Sequence, residues 1–197
     1  MLASELSLIQ RLKERNSDRQ RATDDSRWHP TKSIPPVAAK NLQSAEFVLG
    51  FRLPAFLRTI YLMVGNGGFG PSYGIVGMRG GFKHEKQTLE SCYRSMPRLQ
   101  KENSIWHWPK RLLPLGYYGC GMWSCVDCEY KKLPMITWDP NNLDAELNGA
   151  DARRNWGNSF WDQGESLKTW LEGWRTDKPE PEPKWPAWTW MRRDSKR

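Results

Sequence analysis

Cys120, Cys125 and Cys128 stand at C-x4-C-x2-C spacing, a run that resembles the plant-type iron–sulfur pattern. Such a cluster needs a fourth thiolate after the third, and the remaining cysteine, Cys92, lies upstream. Zinc could use Cys125 and Cys128 with Cys92 or His107, but structural zinc sites pair two ligand sets and this chain shows one. On a strand over 123–128, Cys125 and Cys128 would point to opposite faces. The competing state is buried thiols that behave as small hydrophobes, and the expectation is no metal and no cofactor.

Gly65-Asn66-Gly67-Gly68-Phe69-Gly70 matches G-x-G-x-x-G. A dinucleotide cradle needs a strand before the glycines and a helix after them, so that the helix N-terminus meets the pyrophosphate. Here a helical pattern precedes the run and Pro71 follows it. The glycines therefore read as a helix end and a sharp turn. Asp127 and Glu129 alternate on a candidate strand and would share a face, as an acid/base pair could. A solvated face opposite Lys131 and Lys132 explains them as well. His29, His84 and His107 belong to no nucleophile motif and no H-E-x-x-H. The expectation is not an enzyme, with no catalytic residues and no small-molecule substrate. Twelve Trp are spread along the chain. Trp185, Trp188 and Trp190, followed by Arg192 and Arg193, are the best candidates for binding, since Trp beside Arg can stack on bases or anchor a protein interface. Trp123, Trp138, Trp170 and Trp174 are expected in the core.

These residues need a scaffold. Leu2, Leu6, Ile9 and Leu12 predict a short amphipathic helix over 2–15, and Ile34-Pro35-Pro36 breaks any continuation. Residues 1–40 read as a basic flank, loosely ordered between its elements. Leu42, Ala45 and Leu49 predict a helix that Gly50 ends. Leu53-Pro54 opens the next, with Phe56, Leu57, Ile60, Tyr61 and Val64 as its apolar stripe and Asn66-Gly67-Gly68 as its end. Strands are expected at 73–78, 113–117, 123–128 and 133–138, with Pro134 tolerated at a strand start. Helices are expected over 84–96 and 165–174, and a loop over 140–158. Pro179, Pro181, Pro183 and Pro186 predict an extended tail over 175–197. The fold class is α+β: a mixed, mainly antiparallel sheet with helices packed on it, a helical N-terminal flank and an extended C-terminal tail.

The order of these pieces resembles the SUKH superfamily, the family of yeast cell-wall-synthesis regulators and many bacterial relatives. The resemblance rests on Glu46-Phe47-Val48-Leu49-Gly50, Leu53-Pro54, Asn66-Gly67-Gly68, Leu113-Pro114-Leu115-Gly116 and Gly119-Cys120-Gly121, and on the closing segment around Ser166 to Leu171. It covers roughly 41–174. Met122 departs from it, standing where relatives often carry an acidic or amide residue. The resemblance implies an α+β domain without catalytic residues. It makes Glu46, Gly50, Leu53, Pro54, Asn66, Gly67, Gly68, Leu113, Pro114, Gly116, Gly119 and Gly121 structural motif positions. It also implies a protein partner: bacterial members are often immunity proteins that neutralise a toxin, and others act as interaction scaffolds.

Composition narrows the classes further. Leu, Ile, Val and Phe are only 36 of 197 residues, so the core must lean on the 12 Trp, 7 Met and 6 Tyr. No apolar run is long enough for a membrane span, and 1–20 lacks the signature of a signal peptide. Four cysteines without a secretion signal suggest reduced thiols and a cytoplasmic address. The formal net charge is +8, of which 1–40 and 175–197 carry +3 each and 41–174 only +2. Nucleic-acid binding is thus an alternative confined to the two flanks.

Overall fold

Local signals decide where each helix begins and stops. The computed structural model describes residues 3–24, 30–101 and 104–175. Helix α1 spans Ala3–Ser17, α2 Ala39–Leu49 and α3 Ala55–Met63. Gly50 closes α2 in the left-handed region at φ 78°, with its N–H on the Glu46 carbonyl at 3.0 Å. Pro54 is the N-cap of α3, where a missing N–H costs nothing. Leu57, Ile60 and Tyr61 form the buried stripe of α3. The helix stops at Met63, three residues before Asn66, so the glycines do not cap it but shape the loop beyond.

The face of α1 differs from the expected one. Leu8, Ile9 and Leu12 are buried, whereas Leu6 is 47% exposed. Asn16 continues the inward stripe and donates to the Val64 carbonyl at 3.2 Å, which ties α1 to the end of α3. Helix α1 packs on α3 and on α6, Leu167–Arg175.

Helix α4 spans Leu89–Ser95, shorter than the helix expected over 84–96. Thr88 and Ser91 form a reciprocal capping box that starts it, and Glu85 and Lys86 at positive φ cannot lie in a right-handed helix. Strands β1 Leu112–Gly119, β2 Met122–Asp127, β3 Pro134–Trp138 and β4 Phe160–Ser166 form one sheet in the order β1-β2-β3-β4. All three pairings are antiparallel, so the sheet is not mixed; a parallel bridge, Thr23 with Gly70, lies outside it.

Residues 73–78 are not a regular strand. They line the edge of β1 through Val76 N–H to Leu115 O at 2.8 Å and Tyr73 N–H to Tyr117 O at 3.3 Å. Gly74, at φ 86°, bends the chain between these contacts. The stretch 140–158 is not all loop: it holds α5, Gly149–Asn158, whose Ala152 and Trp156 are buried at helical spacing. Strand β4 was hidden by its polar composition. Its Gln163 is buried and donates to Ser124 Oγ at 2.9 Å and Thr137 Oγ1 at 2.8 Å.

The core leans on aromatics, as the composition requires. Trp123, Trp138, Trp170 and Trp174 are all buried. Trp106 stacks on Trp156 at 5.6 Å, and Trp108 meets Trp138 edge to face at 5.2 Å. Arg15 covers the ring of Trp174 at 4.6 Å, clamping α1 on α6.

Candidate functional site

The motif positions serve the scaffold at three separate places. At the α2–α3 junction, Glu46 Oε1 accepts the Leu53 N–H at 2.8 Å and pairs with Arg58. Leu53 is buried beneath that bond. At the glycine loop, Asn66 bonds Met78 through both side-chain atoms, and its carbonyl accepts from Phe82 N–H at 2.9 Å. A Cβ on Gly67 would lie 2.5 Å from Gly77 N, and one on Gly68 would lie 2.8 Å from the Pro30 ring. The glycines are crowded by Ile75, Gly77 and the Pro30 ring rather than arranged as an open phosphate cradle. At the β1–β2 hairpin, Leu113 is buried, Pro114 lies opposite Cys125, and Gly116 lies beneath the Trp170 ring. Gly119, Cys120 and Gly121 all have positive φ, and Gly121 N–H donates to Tyr117 Oη at 3.0 Å. Trp185, Trp188, Trp190, Arg192 and Arg193 lie outside the described residues.

The cysteines behave as separate groups. Cys120 is exposed in its turn, while Cys92, Cys125 and Cys128 are buried. Burial pushes the Cys92 thiol up to about 12, and it raises Cys125 and Cys128 as well. Among the described residues no group of three or more His, Cys, Asp or Glu is placed to hold a metal ion. Asp127 is buried and its Oδ1 accepts the Glu129 N–H at 2.9 Å. Glu129 instead is exposed and pairs with Arg111 at 3.6 Å, so the two carboxylates have separate structural partners. His84 is buried with its ring 3.8 Å from Tyr117 and edge-on to Trp123. Burial lowers its pKa, opposed in part by Glu85.

One surface emerges that the linear sequence separates. Antiparallel pairing sets Leu112 opposite Asp127, so Lys110 and Arg111 adjoin the β2–β3 turn. Cys128 N–H donates to Arg111 O at 3.0 Å, and Lys131 and Lys132 project from the same turn. Arg111 is the pivot. Its guanidinium lies 5.6 Å over Phe51, its backbone N–H donates to Tyr93 Oη at 3.2 Å, and Phe51 meets Tyr93 edge to face. The α2–α3 junction, with Gly50 and Arg52 exposed, thereby joins the basic end of the sheet. The two dibasic pairs, Lys110-Arg111 and Lys131-Lys132, were the only linear trace of this surface.

Among the described residues, no helix is long and apolar enough to cross a membrane. A family model described as SMI1 / KNR4 family (SUKH-1) matches residues 36–173, well over half of the chain. No curated protein and no solved structure shows a significant match.

Proposed function

The chain belongs to the SMI1 / KNR4 family (SUKH-1), and from that membership we propose that it is a non-enzymatic binding protein that captures and neutralises a cognate polymorphic toxin. The family is generally non-catalytic and consistent with a protein-interaction role. The observation that carries the reading is the family match over 36–173. The geometry is in keeping with it, because Cys92, Cys125, Cys128 and Asp127 are buried and Glu129 pairs with Arg111. Residues 41–174 form the binding domain in this reading, with 1–40 and 175–197 as flanks. Its place of action is the cytoplasm, in keeping with four free cysteines.

The test is co-expression with candidate toxin domains, beginning with any toxin-like protein that a neighbouring gene encodes. A one-to-one complex on size exclusion and rescue of growth support the reading. No complex and no rescue with any of them overturn it. A second reading has the flanks bind single-stranded nucleic acid, favoured by the +3 charge on each. It requires affinity that falls steeply with salt and is lost on deleting 175–197.

A further inference from the structure

The basic end of the sheet is more than a charged rim. Lys110, Lys131 and Lys132 are exposed and, among the described residues, make no ion pair. Arg111 is 47% exposed, and its guanidinium is held over the Phe51 ring and beside Glu129 while its backbone is tied to Tyr93. It is a cation whose position is set before any partner arrives, which reduces the entropy lost on docking. One helical turn before Phe51, Phe47 is 88% exposed and its neighbour Val48 42%. A large aromatic side chain so exposed, on the helix that leads into the junction beneath Arg111, together with exposed cations is the composition of an interface anchor with a charged surround.

We propose that this surface, from Phe47 and Arg52 on the α2–α3 junction across Arg111 to Lys110, Lys131 and Lys132, docks an acidic protein segment bearing an apolar side chain. The inference rests on the protein-binding reading above and adds the surface and the partner's chemistry. Charge complementarity selects the occupant: among the described residues named for this surface, the exposed cations Arg52, Lys110, Arg111, Lys131 and Lys132 outnumber the exposed carboxylate Glu129. A nucleic acid fits less well. The Phe51 face that could stack on a base is already covered by Arg111, and Glu129 sits among the cations where a phosphate would pass.

The experiment uses the full chain and a fluorescent acidic peptide of Glu and Asp carrying Phe and Leu. A peptide of the same charge without apolar residues and a single-stranded oligo-dT serve as comparators. Variant one carries Lys110→Glu, Lys131→Glu and Lys132→Glu. A control of equal charge change carries Lys40→Glu, Arg153→Glu and Arg154→Glu, on exposed sites of α2 and α5. Unchanged melting confirms that both fold. The expected result is an affinity for the apolar-bearing peptide at least about tenfold weaker in variant one and within about threefold of wild type in the control. Phe47→Ala should weaken that peptide and spare the purely acidic one. Equal losses in both triple variants, no peptide binding, or oligo-dT binding more tightly and lost in variant one would each overturn the proposal. The toxin assay separates this from the function. A cognate complex that forms unchanged with variant one rejects the surface and keeps the immunity reading. Peptide docking as expected, with no toxin complex in the wild type, does the reverse.

Discussion

Asn66 holds Met78 by both ends of its amide: Oδ1 accepts the Met78 N–H at 2.8 Å, and Nδ2 donates to the Met78 carbonyl at 3.4 Å. The side chain thus substitutes for a strand neighbour and satisfies both backbone groups of a buried residue. It explains why an amide, with donor and acceptor on one short stem, precedes the two glycines.

Asn66→Ala leaves the Met78 N–H buried without its acceptor. The expected cost is about 2 kcal/mol, since an unsatisfied buried donor carries most of its desolvation penalty. Urea unfolding should show a lower midpoint with an unchanged slope.

Gly67 and Gly50 both have positive φ, yet their surroundings differ. A Cβ at Gly67 would meet Gly77 N at 2.5 Å, whereas one at Gly50 meets nothing within 4 Å. Gly50→Ala should therefore cost only the left-handed strain, about 1 kcal/mol. Gly67→Ala should cost about 3 kcal/mol or more, because backbone must move. Comparable melting temperatures for the two variants would refute this ranking.

Glu46 serves two partners, the Leu53 N–H and the Arg58 guanidinium. Glu46→Ala removes both and should lower stability by about 2 kcal/mol. Glu46→Gln keeps an acceptor for Leu53 and should lose less. Chemical denaturation of both variants tests the order.

Thiol chemistry should be strongly selective. Cys120 is exposed, while burial raises the pKa of Cys92, Cys125 and Cys128. At mildly alkaline pH, iodoacetamide should label Cys120 quickly and the other three only after unfolding. Peptide mass mapping reads the result directly.

His84 should give stability a dependence on pH. Its folded-state pKa is depressed below the ordinary 6.5 by burial, so the unfolded chain binds the proton more readily. The His84 contribution is complete above pH about 6.5 and is lost as pH falls toward the folded value. His84→Phe retains a ring against Tyr117 and should flatten this slope. Melting across pH 5 to 8 in both proteins, roughly the span in which histidine titrates, provides the comparison.

Much of the fold was legible because its signals are local. Gly50, Leu53-Pro54 and the stripe Leu57, Ile60 and Tyr61 mark α2 and α3 by capping and periodicity alone. Three strands announced themselves by β-forming residues between turns. Strand β4 and helix α5 did not. Phe-Trp-Asp-Gln-Gly-Glu-Ser reads as polar, and it is a strand because β3 offers it a partner and Ser124 and Thr137 receive Gln163. The face of α1 was misjudged for a similar reason. Leu6 and Leu8 have equal hydrophobicity, and the packing of α1 on α3 and α6 selects which turns inward.

The sequence by itself determined the family, the end of α2 at Gly50 and the start of α3 after Pro54, and the need for an aromatic core, because each depends on residue type and short-range spacing. The tertiary structure decided which carboxylate is buried, which cysteine meets solvent, and how Lys110-Arg111 comes beside Lys131-Lys132. Those outcomes depend on strand register, which pairs residues as far apart in sequence as Leu112 and Asp127. Register is set by the burial of whole faces at once, and no single stretch of the chain contains it.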